Sequence, residues 1–233
     1  MNMLTFPDRA LASAACAKHI AERLSNEIDA TGSATLLVSG GSTPDDAFSE
    51  LSRTDLCWDK VTVGLVDERW VENTSDASNE ALVRNRLLKN RAATADFATM
   101  KTDTQSPTTA QSAVNSTYTN TFSDPTVIML GMGLDAHTAS WFPGTKDLQD
   151  LFNNTSDYTA AIDASGAPVA GALTDRMTIT PLVVSKAKSA VLLIFGQDKS
   201  EVLKQALSQG EMDAPIKGAI ERLGANLTVF WAP

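Results

Sequence analysis

Val127-Ile128-Met129-Leu130 is apolar at every position and stops abruptly at Gly131. A run without alternation reads as a buried strand, and a strand covered on both faces needs helices above and below it. The rest of the chain offers both kinds of element in turn. Residues 34–39, 61–66, 158–162, 177–180, 190–195 and 227–231 are further strand-like runs, with a weak one at 97–101. Helical stretches fall at 8–29, 44–51, 78–88 and 215–223, with one ending near Phe122 and another opening at 198–201. Strands alternating with helices, without an internal repeat, indicate a single α/β domain over residues 1–233 with a mainly parallel sheet.

Local signals sharpen several of these elements. Leu11, Ala15, Ile20, Leu24 and Ile28 recur at roughly helical spacing, and Gly32 is placed to stop that helix. Thr43 can cap a helix whose first position is Pro44. In 78–88, Leu82 and Leu88 are expected to face inward. Asp198 with Glu201 three residues on resembles a capping box. Residues 102–116 read as a polar loop running into a helix, Trp141-Phe142-Pro143-Gly144 as a turn, and 145–156 as polar and irregular.

Composition excludes some functions. Of 233 residues, 43% are hydrophobic and 20% charged, enough to build a core and too apolar for a disordered chain. The formal net charge is −9, so no general basic surface exists to neutralise phosphates, and a nucleic-acid partner is not expected. Cys16 and Cys57 are far apart and lack metal-ligand spacing, which reads as two reduced structural thiols. The first residues contain no apolar segment of the signal-peptide type, and no run approaches the ~18 apolar residues of a membrane span. A soluble cytoplasmic protein, monomeric or a weak homodimer, is the expectation.

The chemistry-bearing residues gather at strand ends. After Leu130 come Gly131 and Gly133, which let a ligand approach the backbone, then Asp135 and one of only two histidines, His137. After the strand at 34–39 come Gly40-Gly41-Ser42-Thr43-Pro44. A strand, a glycine-rich turn and a helix N-terminus together make an anion site, because free N–H groups and the helix dipole converge there. It is not a P-loop, since the Gly-Lys-Ser/Thr ending is absent. Asp67-Glu68-Arg69 follows the strand at 61–66, where an open α/β sheet places its ligand crevice. Lys199, in the first turn of a helix, opposes the dipole and is better explained if it points at an anion. His19 has no carboxylate beside it in a catalytic pattern and reads as a surface or partly packed residue. Gly131-Met132-Gly133-Leu134-Asp135-Ala136 fits the dinucleotide pattern G-x-G-x-x-A, but Pro143 follows within seven residues and forbids the long helix that pattern must open.

Taken in order, Gly40-Gly41-Ser42-Thr43-Pro44, Asp67-Glu68-Arg69, Ser78-Asn79-Glu80, Gly131 to Ser140 and Asp175-Arg176-Met177-Thr178-Ile179-Thr180 resemble the 6-phosphogluconolactonase family. The blocks span most of the chain, and the set in order is far more specific than any one block. The resemblance implies a Rossmann-like α/β fold shared with glucosamine-6-phosphate deaminases. It implies hydrolysis of 6-phospho-D-glucono-1,5-lactone in the oxidative pentose phosphate pathway, without metal or organic cofactor. The family usually has glycine where this chain has Ala136; should that position need a positive φ, alanine costs about 1 kcal/mol.

Lactone hydrolysis needs a proton carrier, and His137 is the histidine available; the resemblance assigns it the same role. Asp135 or Asp67 orients the imidazole or holds sugar hydroxyls. Arg69 and Arg176 are candidates for phosphate or hydroxyls, and Gly40, Gly41, Ser42, Thr43 and Lys199 for the phosphate. Two rivals are disfavoured. The related deaminases continue with Asn-Glu-Pro after the histidine motif, where this chain has Trp141-Phe142-Pro143. A non-catalytic sugar-phosphate sensor attached to a transcription regulator would be preceded by a helix-turn-helix segment, which is not seen, and the chain is acidic.

Overall fold

A computed structural model describes residues 1–154 and 156–233. In chain order the elements are β1 (Asn2–Thr5), α1 (Arg9–Thr31), β2 (Ala34–Val38), α2 (Asp45–Arg53), β3 (Val61–Leu65), β4 (Asp67–Arg69), α3 (Asn79–Arg86), β5 (Asp96–Phe97), α4 (Pro107–Thr121), β6 (Val127–Leu130), α5 (Leu148–Asn153), β7 (Thr159–Asp163), β8 (Asp175–Ile179), α6 (Pro181–Ser185), β9 (Ser189–Phe195), α7 (Gln197–Ala206), α8 (Pro215–Leu223) and β10 (Leu227–Ala232). Among the described residues, seven strands in the order β1-β10-β9-β6-β2-β3-β5 form one sheet in which every pair is parallel. The helix-flanked parallel sheet expected from the alternation is therefore present. No helix of the described residues is long and apolar enough to cross a membrane.

Burial explains the strand runs. All four residues of β6 are buried, as are Leu36, Leu37 and Val38 of β2 beside it. Against this sheet α1 presents Ala12, Cys16, Ile20 and Leu24, spaced four apart and fully buried, so each leucine or isoleucine contributes about 1.5–3 kcal/mol of burial. Ile20 and Leu24 face inward as expected, but in the first half of the helix the stripe runs one position later, through Ala12 and Cys16, and Leu11 is 51% exposed. Val83 of α3 and Leu87 just past its end are buried, with Leu82 and Leu88 only partly covered, because the helix is set by its clamped N-terminus.

The strand order creates a switch point. From β2 the chain builds outward through β3 and β5, then returns to lay β6 on the other side of β2. The crevice outside the carboxyl ends of β2 and β6 is where such sheets bind ligands.

A second sheet departs from the expectation. Residues 158–162 and 177–180, read as strands without a sheet of their own, belong with Asp67–Arg69 to a separate three-stranded antiparallel sheet, β4-β8-β7. Its third strand is the Asp67-Glu68-Arg69 segment. Val66 is the hinge between the sheets: its N–H donates to Val38 O at 3.0 Å and its carbonyl accepts from Ile179 N at 2.8 Å.

Smaller corrections follow from end geometry. Pro44 takes the cap position of α2 with no side-chain cap bond, so Thr43 is not the cap; Asp45 and Asp46 fill the first turn and complement the dipole instead. Asp198 lies inside the first turn of α7, whose cap is Gly196, and makes no capping bond. Helix α5 occupies part of the stretch read as irregular, where Leu148, Leu151 and Phe152 are buried; Thr155 of that stretch lies outside the described residues. Strand β1 adds an element the sequence pattern does not mark: it is four residues long, only Met3 and Leu4 are apolar, and all four are exposed.

Candidate active site

At the switch point lies a cleft of about 320 Å³. The loop after β2 contributes Gly40, Gly41, Ser42 and Thr43, and the loop after β6 contributes Gly131, Gly133 and His137. Asp67 and Arg69 enter from β4, Arg176 from β8 and Lys199 from α7. The structure brings these sequence-selected residues into one cavity. Asp135 alone stands behind its wall, against His137.

The loop that carries His137 is tightly wound. Gly133 N donates to His137 O at 2.9 Å and Ala136 N to Gly133 O at 3.2 Å. Asp135 Oδ1 lies 2.5 Å from His137 Nδ1 and accepts the His137 amide at 3.3 Å. The carboxylate and imidazole cross directly over Gly133: a Cβ there would fall 2.1 Å from His137 Nδ1 and 2.3 Å from Asp135 Oδ1. Only glycine leaves room for the pair. Burial alone would push the Asp135 carboxyl up, but the hydrogen bond and charge of His137 outweigh it and hold the carboxyl below its ordinary range. The imidazole rests against Phe142, with ring centroids 4.7 Å apart.

Two non-glycine residues of this loop adopt left-handed backbone, Ala136 at φ 62° and Ala139 at φ 49°. Each costs about 1 kcal/mol, so outside contacts must hold the loop. Ile216 N, in the first turn of α8, donates to Ala136 O at 3.0 Å. Thr138 Oγ1 donates to Gly131 O at 2.8 Å. Ser140 Oγ donates to Asp67 Oδ2 at 2.7 Å, far across the sequence.

The Asp67-Glu68-Arg69 strand divides its labour by side. Asp67 and Arg69 reach the cleft, while Glu68 points away and is fully buried. Glu68 accepts from the amides of Asn79, Glu80 and Arg69 and from Ser78 Oγ, at 2.7–2.9 Å. Burial nevertheless pushes its carboxyl up, against the pull of those four donors. This carboxylate ties the N-terminus of α3 to β4. From that helix end, Asn79 Nδ2 donates to Asp67 O at 2.8 Å and Asp67 Oδ1 at 3.3 Å. The same side chain packs over Gly40, where a Cβ would lie 1.9 Å from Asn79 Oδ1.

The cations are only partly committed. Arg69 Nη1 donates to Ala77 O at 2.6 Å, while its Nε is buried with no partner among the described residues. Arg176 is 5% exposed, donates through Nε to Leu173 O at 2.6 Å and holds Nη1 3.8 Å from Asp67 Oδ2. Lys199 Nζ donates to Met132 O; burial lowers its pKa and Asp135 acts in the opposite sense. Three positive groups therefore face a cleft whose other wall is the exposed Gly41-Ser42 backbone.

Sequence inspection gave no role to Asn79, Ser140, Phe142 or Thr178. Asn79, Ser140 and Thr178 do stand in the quoted blocks, but only the fold shows what they touch. His19 lies away from the cleft and packs edge-on against Phe230 at 5.6 Å. Cys16 is buried and Cys57 exposed, and both are free. Among the described residues no cluster of three or more histidine, cysteine or acidic side chains is arranged to hold a metal.

Comparison with known proteins bears on this geometry. The chain is 40% identical to a 6-phosphogluconolactonase of Rhizobium meliloti (strain 1021), over 100% of this chain and 99% of that one. A crystal structure of a 6-phosphogluconolactonase from Shewanella baltica OS155 superposes with a TM-score of 0.92 at 34% identity, covering 100% of this chain and 98% of the other. A monomeric glucosamine-6-phosphate deaminase shares the fold, with a TM-score of 0.81 at 17% identity over 100% of this chain and 97% of that one. The profile of the family described as glucosamine-6-phosphate isomerases/6-phosphogluconolactonase matches residues 7–231, and to that family the chain belongs.

Proposed function

We propose that this chain hydrolyses 6-phospho-D-glucono-1,5-lactone to 6-phospho-D-gluconate, with His137 as the general base. The observation that carries the reading is the Asp135–His137 pair at the cleft wall. With Nδ1 donating to the Asp135 carboxylate, Nε2 is the basic nitrogen left for chemistry. Asp135 sets the tautomer and steadies the imidazolium that forms. Asp67, its carboxylate engaged by Ser140 and Asn79, is the poorer orienter of the two.

In this mechanism Nε2 takes a proton from water as the water oxygen bonds to the lactone carbonyl carbon. The carbonyl π-pair moves onto oxygen, giving a tetrahedral oxyanion. As the carbonyl re-forms, the bond to the ring oxygen breaks and the imidazolium returns its proton to that oxygen. The products are a carboxylic acid, ionised at neutral pH, and a hydroxyl. The phosphate at the far end of the sugar is assigned to the Gly40–Thr43 backbone, Arg69, Arg176 and Lys199. Charge-assisted bonds from arginine and backbone N–H groups suit a phosphate dianion. Deaminase chemistry is not favoured, since Trp141-Phe142-Pro143 supplies no carboxylate after the histidine.

Turnover of freshly generated lactone, with glucosamine 6-phosphate as control, tests the reaction. His137→Asn should fold with unchanged thermal midpoint and lose about 10³-fold in kcat over the spontaneous opening. Near-normal turnover by that variant would sink the base assignment.

A further inference from the structure

Ser140, three residues past His137, is 1% exposed and is held by both members of one cross-strand pair. In the second sheet Asp67 and Thr178 stand directly opposite each other on antiparallel strands, so their side chains share one face. Asp67 Oδ2 accepts the Ser140 hydroxyl at 2.7 Å, and Thr178 Oγ1 accepts the Ser140 amide at 3.2 Å. The next residue is tied to the same sheet, Trp141 Nε1 donating to Ile179 O at 2.8 Å. On the other side of this grip the chain passes through Ala139 and Ala136, both left-handed without being glycine. A backbone in that state does not hold its shape by local preference, so it takes its shape from where its ends are fixed.

We propose that Ser140 is a positioning residue for His137, gripped through its hydroxyl and amide by the Asp67–Thr178 pair. The inference rests on the assignment of His137 as base. It gives Asp67 a task distinct from proton transfer: its Oδ2 holds the catalytic loop, while Asn79 and Arg176 hold Asp67. It also gives the second sheet a purpose, as the fixed jaw against which the His137 loop is set.

The test uses Ser140→Ala and Thr178→Val, singly and together, in the full chain. Each single variant should lower kcat about 10- to 100-fold with KM changed less than about twofold, as expected when a reacting group is misplaced rather than lost. Each variant removes one of the two bonds that hold the same residue, so the double variant should depart from the product of the single losses, as expected of coupled neighbours. Thr178→Ser, which keeps the acceptor oxygen, should recover most of kcat. The downfield proton resonance of His137 Nδ1–H, readily assigned in a chain with two histidines, should broaden in Ser140→Ala. Ser140→Ala with kcat within twofold and an unchanged resonance overturns the inference. So does a raised KM with kcat intact, which would make Ser140 a substrate-binding support. Should Ser140→Ala not fold, equal kcat for Thr178→Val and Thr178→Ser overturns it. If His137→Asn stays active, the base assignment falls first; if only Ser140→Ala stays active, the grip alone falls.

Discussion

The seven-stranded sheet is held by apolar side chains: Leu36, Leu37, Val38, Val127, Ile128, Val191 and Leu192 are each fully buried along its central strands. In the three-stranded sheet, Asp67, Glu68, Arg176 and Thr178 are buried as well, and their polar atoms are paired across the sheet, to the His137 loop or, for Glu68, to the N-terminus of α3. The first arrangement is non-directional. It fixes where the strand ends lie but tolerates apolar swaps of similar volume. The second is directional, and each lost partner leaves a buried polar group exposed to the low-dielectric interior. One sheet is a scaffold and the other an aiming device, and substitutions in the two should fail in different ways.

Leu36→Ala and Glu68→Gln are the strongest contrast. Leu36→Ala removes a fully buried side chain and should cost about 2–5 kcal/mol in urea unfolding, with kcat of the folded enzyme within about threefold of normal. Glu68→Gln keeps the volume but turns an amide nitrogen toward donors now satisfied by a carboxylate. It should cost about 2–3 kcal/mol and also lower kcat about tenfold or more, since Asp67 and Arg69 flank it on β4. Equal losses of kcat in the two folded variants would erase the distinction between scaffold and aiming device.

Gly133→Ala sharpens the contrast within the site. The added methyl meets His137 Nδ1 and Asp135 Oδ1, so the pair must part or turn. The expected result is a kcat lower by about 100-fold, equivalent to about 2.7 kcal/mol of transition-state stabilisation, with KM little changed. Steady-state kinetics on fresh lactone checks it. A variant with full kcat would mean that the imidazole does its work from another orientation.

The two sheets were also unequally legible in the sequence. Runs such as Val127–Leu130 announce themselves, because burial on both faces leaves no polar position to blur the pattern. Asp135 and His137 were equally plain, being two residues apart, and Lys199 stood out as a cation in a helix first turn. In the second sheet, 158–162 and 177–180 read as strands, but nothing marked their antiparallel pairing or their third partner. Asp67 acquires strand character only through pairing with Thr178, and its bond to Ser140 spans 73 positions. Glu68 looks like one of three charges in a solvated loop, whereas it is fully buried among four donors brought by α3 and β4. Polar recognition between distant segments has no period to read, so it became visible only with the fold. In α1, Ile20 and Leu24 were legible, but the first half of the stripe was not: Ala12 and Cys16 carry it, and small residues weigh little beside an exposed Leu11.

The smallest effect separates the two histidines, one belonging to each region. His19 packs on Phe230 of the parallel sheet, with Nε2 buried and unpartnered among the described residues. Burial lowers its pKa, Arg23 lowers it further, and Glu22 opposes them more weakly. Because the folded pKa lies below the unfolded value of about 6.5, the unfolded chain binds the proton first as pH falls. Stability from this site is therefore complete above about pH 6.5, declines as pH drops toward the folded pKa, and levels off below it. The ring is half-buried and partly screened by solvent, so the decline should be the smallest of these effects. Urea midpoints between about pH 7.5 and 5.5, compared between the parent chain and His19→Gln, isolate its part from that of any other group in the window. His19→Gln should flatten that decline and leave the pH–rate profile unchanged, because the imidazole that serves the reaction is in the other region. A profile that moves with His19→Gln would show that scaffold and site are coupled through the parallel sheet after all.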